Sequence, residues 1–203
     1  DIVILSRNKP ICNVPEMFKG SQPKDDGNLL FTDGEKNEFL KEEPEAEKFI
    51  KPLISAREFL HNEKRWCLWL VEANPSELKN LPLVMERIKK VKEFRLKSSK
   101  IPTQKLADYP HLFAEIRQPK NDYILIPRHS SENRHYIPFG FFSKDIIVSD
   151  SCSCIPNATL YEFGILTSSM HMAWVRQICG RLESRYRYSN TIVRFAKVIG
   201  KYY

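Results

Sequence analysis

The sequence predicts an α+β fold, an antiparallel or mixed β-sheet with flanking helices, on three observations. Short apolar, β-branched and aromatic runs follow one another from Leu112 to Ile155, punctuated by Pro, Gly, Asn, Asp and Ser. Two stretches, 82–97 and 169–179, place apolar residues at helical spacing. At 203 residues and 42% hydrophobic content, the chain can bury a sizeable core.

The elements follow in order. The chain starts at Asp1, directly in an apolar run (Ile2, Val3, Ile4, Leu5), and so reads as a piece of something longer. Residues 6–33 are rich in Pro, Gly, Asn and Lys without a sustained period, which predicts an extended connecting segment with short ordered contacts. Acids outnumber bases from Gly34 to Lys64, with helical signals in GEKNEFLKEE and, after Pro44 at a first helical position, in EAEKFI. RWCLWLV, Arg65 to Val71, predicts a buried strand with Trp66 and Trp69 in the core, ending before a turn at Asn74 and Pro75.

From Pro82 to Lys97 a helix is predicted, with Val84, Ile88, Val91 and Phe94 inward and Arg87, Lys89, Lys90, Lys92, Arg95 and Lys97 on the remainder. Nine bases and two acids lie between Lys79 and Lys105, a solvated helix face or a contact surface for phosphates. Five strands are then expected in LFAEI, DYILI, HYIPFGFF, DIIVSD and SCSCI. Ser168 or Ser169 caps a helix over SMHMAWVRQIC that stops at Gly180, with Met172, Val175 and Cys179 inward. Beyond Gly180, Arg181, Arg185, Arg187, Arg194, Lys197 and Lys201 face a lone Glu183, and Tyr186 and Tyr188 are interleaved; bases and aromatics in this mixture suit a nucleic-acid backbone.

Lys plus Arg number 32 against 25 Asp plus Glu, a formal charge of +7 and a pI near 9.1, which favours polyanionic partners. Five cysteines make no disulfide framework, and Cys152-x-Cys154 lacks the second pair of a zinc site, so a reduced, cytoplasmic setting is expected. His129 and His135 lack the partners of a metal site. No apolar run approaches the roughly 20 residues that span a bilayer, and no membrane contact is expected. Glycine-rich phosphate loops, G-x-S-x-G, H-E-x-x-H and dinucleotide fingerprints are absent. Asp33, Glu35 and Lys36 sketch a metal-dependent nuclease cluster, but acids at a helix start also stabilise its N-terminus. An interaction scaffold with incidental charge is a further alternative.

The most informative stretch is ILIPRHSSENRHYIPFGFF, Ile124 to Phe142, where two strand-like runs flank a polar loop of Arg128, Ser130, Ser131, Glu132, Asn133 and Arg134. Arg grips the two major-groove acceptors of guanine, Asn pairs with adenine, and Glu accepts from the cytosine amino group. An exposed hairpin tip is polar for simpler reasons as well. Arg128 could instead buttress the loop. Glu132 and Arg134, at alternate positions of a returning strand, would point the same way and either pair or reach bases. Glu115, Arg117 and Lys120 fit an exposed edge strand or a groove-facing row equally.

The runs GNLLFTDGEK, EPEAEKFIKPLISAREFL, KRWCLWLVEANP, LPLVMERIKKVKEFR, HLFAEIRQPKNDYILIPRHSSENRHYIPFGF and IPNATLYEFGILTSSMHMAWVRQICGRLESRYRYS closely resemble the MmeI-like single-chain restriction and modification enzymes, collinearly from about Gly27 to Val193. That resemblance implies a target-recognition-type domain over 34–193, joined through 1–33 to a methyltransferase core in the same polypeptide, with 194–203 a divergent basic tail. It implies double-stranded DNA as partner. For the parent enzyme it implies S-adenosylmethionine and N6-adenine methylation, with magnesium for any cleavage. The family's N-P-P-aromatic and cofactor-binding glycine motifs have no counterpart here, so no catalytic, cofactor or metal residue is expected; Asn74-Pro75-Ser76 is read as a turn. Within the family, the loop after I-P-R and its S-E-x-R continuation set base identity. By position this points to Glu132 and Arg134 as base readers, with Tyr136, Lys100 and Asn133 as further candidates. Arg117, Lys120, Arg128, Ser130 and Ser131, with Arg185 and Arg187 of the basic stretch beyond Gly180, would support the loop or meet phosphates.

Overall fold

Where this chain's backbone hydrogen bonds close decides its architecture, and the computed structural model describes it over residues 15–189. The expectations placed on Ile2 to Leu5, Arg194, Lys197, Lys201 and the tail 194–203 lie outside the described residues. In chain order come β1 (Phe18–Lys19), β2 (Leu30–Phe31), α1 (Asp33–Glu42), a 3-10 helix (Pro44–Phe49), β3 (Ile50–Ile54), α2 (Ala56–His61) and β4 (Trp66–Leu68). Then follow α3 (Pro75–Leu78), α4 (Pro82–Leu96), α5 (Ile101–Lys105), a 3-10 helix (Leu106–Asp108) and β5 (Tyr123–Pro127). The remainder comprises β6 (His129–Ser130), β7 (Gly140–Phe142), β8 (Ile147–Val148), β9 (Cys152–Pro156), α6 (Leu160–Leu166), α7 (Ser169–Ile178), β10 (Gly180–Leu182) and β11 (Arg185–Arg187). The α+β expectation with antiparallel and mixed sheets holds.

Over the described residues these elements divide into two compact units, residues 20–118 with 145–150, and residues 15–19 with 119–144 and 151–189. The segment expected to be extended supplies one strand to each, β2 to the former and β1 to the latter.

In the unit built on 20–118, β2, β4, β3 and β8 form a sheet that is antiparallel except where β3 runs parallel to β8. Leu29, Phe31, Leu53, Cys67, Leu68, Val84, Ile88, Val91 and Ile147 are among its buried residues. Thr32 opens α1 through a capping box with Glu35, and Ser55 opens α2 through another with Glu58; each satisfies orphan N–H groups of a first turn. The predicted α4 forms, entered by Pro82, but its inward face ends differently: Phe94 is exposed and Arg95 is fully buried. Arg95 donates to the carbonyls of Pro23, Lys24, Leu106, Tyr109 and Leu112 at 2.7–3.0 Å. Such saturation is what allows a guanidinium to be buried.

The same contact accounts for a correction. LFAEI is not a strand: the Leu112 carbonyl is taken by Arg95, the Ala114 N–H goes to the Pro23 carbonyl, and pairing stops at one isolated antiparallel bridge, Glu115 with Gln22. Trp66 and Trp69 are half-buried, not core, and the run RWCLWLV supplies only the three-residue β4. The Trp66 indole donates to Asp33 at 2.9 Å, and Trp69 sets its edge on Phe113. Strand β3, which contains Pro52, and helix α2 were not foreseen.

In the other unit β5 is central and wholly buried, flanked by β9 and β7, with β1 beyond β9. Tyr123 faces Phe142 on one side and Pro156 on the other, and Leu125 faces Gly140 and Cys154. Only Gly140 to Phe142 of the predicted HYIPFGFF strand is paired. Ser168 caps α7, and Met172, Val175 and Cys179 are buried as expected. Gly180 begins a hairpin, β10 with β11, whose second strand also pairs with β6 and so lies in the middle of a three-stranded sheet.

Candidate nucleic-acid interface

The polar loop of the sequence is built between two anchored points. On leaving β5, Arg128 is held on both sides of its backbone: its N–H donates to the Ser151 carbonyl at 3.0 Å and its carbonyl accepts from the Tyr188 N–H at 2.8 Å. Strand β6 then joins β11, with Tyr186 opposite Ser130 and Arg187 opposite His129. The chain turns immediately. Arg134 N–H donates to the Ser131 carbonyl at 3.2 Å, and Asn133 N–H donates to Ser131 Oγ at 3.2 Å. Residues 132–136 are exposed, before Ile137 re-enters the core at 2% exposure and Phe139 packs on the His171 and Tyr188 rings.

Glu132, Asn133, Arg134 and Tyr136 therefore sit together on an exposed arch. Glu132 and Arg134 lie in a tight turn and not on a returning strand, because the backbone bonds of this stretch close on Ser131 instead of on a neighbouring strand. Among the described residues, neither is in an ion pair. Ser131 shapes the turn. Ser130 is 2% exposed with an unpartnered Oγ, so its side chain points into the protein and away from any phosphate.

The arch is bordered by a basic strand. Arg185 and Arg187 are exposed at alternate positions of β11, on one face, while Tyr186 between them is buried. Tyr186 and Tyr188 belong to the basic and aromatic mixture expected to suit a nucleic-acid backbone. Both are core side chains: Arg181 covers the Tyr186 ring at 4.1 Å, and Tyr188 hydrogen-bonds His171 Nε2 at 2.7 Å. Burial pushes the His129 pKa down, and Arg128, Arg187 and Arg185 push it further. Arg185 also meets Glu183 at 2.7 Å. Nothing in the sequence singles out Arg176; it reaches from α7 to the His135 carbonyl at 3.3 Å. No sequence pattern announces that contact, because its partner is a backbone atom 41 positions away.

Lys120 is exposed in the same unit as the arch. Lys100 and Arg117 belong to the other. There Lys100 is exposed at the start of α5, and Arg117 pairs with Glu115 at 3.1 Å. Of the basic stretch 79–105, Arg95 is internal and Arg87 is tied to the carbonyls of Asn28 and Leu30 over the Phe31 ring. Lys89, Lys92, Lys97 and Lys105 are exposed, and Lys90 pairs with Glu86 at 2.7 Å.

The residues of the nuclease alternative have structural work. Glu35 closes the capping box, whose bonds from Thr32 lower its pKa; Asp33 accepts from the Trp66 indole, and Lys36 lies 3.7 Å from the centre of that ring system. Asn74 caps the four-residue α3 by accepting from Ser76, so its amide is committed to the turn and does not fit the methyltransferase motif. Among the described residues no group of three or more His, Cys, Asp or Glu could hold a metal, and no helix is long and apolar enough to cross a membrane.

DNA methyltransferase A of Bacillus subtilis (strain 168) is 42% identical over 189 residues, covering 93% of this chain and 22% of that protein. The solved structure of the Type IIL restriction-modification enzyme MmeI in complex with DNA matches with a TM-score of 0.90 at 50% identity, over 95% of this chain and 26% of that one. This chain thus spans about a quarter of the length of the relatives it matches. Residues 1–194 match the model of the MmeI target recognition domain, and the chain belongs to that family.

Proposed function

We propose that this chain reads a short asymmetric site on double-stranded DNA as the target-recognition part of a restriction-modification enzyme. The observation that carries the reading is that the family match runs unbroken through an exposed arch holding a carboxylate, an amide and a guanidinium side by side. Glu132, Asn133, Arg134 and Tyr136 are the base readers of the arch, and Lys100 is a further reader. Arg185, Arg187, Lys120, Arg117 and Arg128 meet phosphates or support the arch. Phosphate contacts set register and affinity, and base-edge contacts set sequence.

In this reading methyl transfer to adenine N6 belongs to another part of the same polypeptide, joined through the N-terminal residues. S-adenosylmethionine is bound there too, and magnesium serves any cleavage by the parent enzyme. A carboxylate among many bases costs affinity for phosphate and gains discrimination, which is what a recognition part requires.

The test is a competition selection in which the chain is mixed with a random duplex pool at low salt and the retained DNA is sequenced. Enrichment of one short asymmetric motif is the expected result. Retention without enrichment would mean contact with the backbone alone, and the reading would fail.

A further inference from the structure

We propose that Arg176 is a positioning residue that sets the pose of the recognition arch, and through it the choice of base, without itself touching DNA. The inference rests on the reading of Arg134 and Tyr136 as base readers. Arg176 Nη2 donates to the carbonyl of His135, the peptide that lies between those two side chains. A rotation of that peptide would swing both readers at once.

The rest of the arch offers little restraint of its own. Among the described residues, the other hydrogen bonds of 131–136 are the two inside the Ser131 to Arg134 turn. They fix the first half of the arch and leave His135 and Tyr136 to whatever holds them from outside. Ile137 anchors the far end in the core, and Arg176 supplies the remaining hold.

The helix that carries Arg176 is a firm base for this task. Ser168 caps α7, and His171, Met172 and Val175 are buried along one face, so the Cα of Arg176 is placed by the core. Its guanidinium meets no carboxylate among the described residues and is therefore not spent on an ion pair. A charge-assisted bond to a carbonyl is stronger than a neutral one, and a loop held in its bound pose loses less entropy on binding.

The experiment has two arms on the 203-residue chain with Arg176→Ala and Arg176→Lys. Hydrogen–deuterium exchange of the free protein reads the amides of 132–136. We expect faster exchange there in Arg176→Ala, confined to the arch, and partial recovery in Arg176→Lys, which can still donate. Fluorescence titration then compares the duplex enriched by selection with a scrambled duplex of equal length. In Arg176→Ala, affinity for the enriched duplex should fall about fivefold, the effect expected of one such hydrogen bond, with scrambled-duplex affinity and salt slope unchanged.

Unchanged exchange in the arch overturns the proposal. So does an equal loss on both duplexes with a salt slope reduced by about 0.9, which would place Arg176 on a phosphate. Should the wild-type chain show no sequence preference, the proposed function fails, and the exchange arm still decides whether Arg176 holds the arch.

Discussion

Two buried polar side chains show most directly how single residues hold these units together. Arg95 satisfies five carbonyls, two in residues 23–24 and three in residues 106–112, which no other side chain can do with one planar fork. Arg95→Met would orphan them, and urea unfolding should show a loss of about 3 kcal/mol or more. Arg95→Lys, a point donor, should recover little of it. In the other unit His171 is 1% exposed, and burial pushes its pKa down to about 4. Above pH 6.5 the imidazole is neutral in both folded and unfolded chains. Between pH 6.5 and about 4 only the unfolded chain takes up the proton, so stability is lost as pH falls through that window. His171→Asn should flatten this part of the profile. Thermal unfolding at pH 7 and pH 5 checks it, and equal pH dependence in both proteins would refute the assignment.

Among elements, the helices were the most legible in the sequence and the strands the least. Thr32-x-x-Glu35, Pro82 and Ser168 mark helix starts by local chemistry, and the structure begins α1, α4 and α7 at or beside them. LFAEI carried the pattern of a strand but no ladder, since its partners are Arg95 and residues 22–23. IKPLI carried a Pro that argues against a central strand, yet Pro52 lies within the register between β3 and β4. Gly20 shows how closely elements approach: a Cβ there would collide with the backbone oxygens of Val148 and Ser149. Gly20→Ala should therefore cost about 1–3 kcal/mol in urea unfolding, because backbone cannot step aside as a flexible side chain can. A change below about 0.5 kcal/mol would mean that the crossing relaxes freely.

For the molecule as a whole, the formal charge of +7 is a statement about partners and not about fold. Its exposed lysines and its arch make different predictions. Lys92→Ala should weaken binding to all duplexes alike and reduce the salt slope by about 0.9, as expected for one phosphate contact. Arg134→Ala should cost about 1–3 kcal/mol at one base position and leave the others intact. Equal losses on every duplex would remove Arg134 from the readers. The chain passes between its two units four times, after Lys19, Gln118, Lys144 and Asp150, a pattern that local sequence does not mark.

The sequence by itself determined the α+β class, helices α1, α4 and α7, the identity of the polar loop and, through long collinear runs, the family. These depend on local propensity and on residue order, which one chain carries in full. Tertiary structure alone decided that Tyr186 and Tyr188 are core, that Arg87 and Arg95 serve carbonyls, and that Ser130 turns inward while Glu132 to Arg134 stand out. It also brought Arg185 and Arg187 beside the loop through the pairing of β11 with β6. Periodicity says that a polar side chain faces away from its own element's apolar stripe, but whether water or another segment waits there depends on partners tens of residues away.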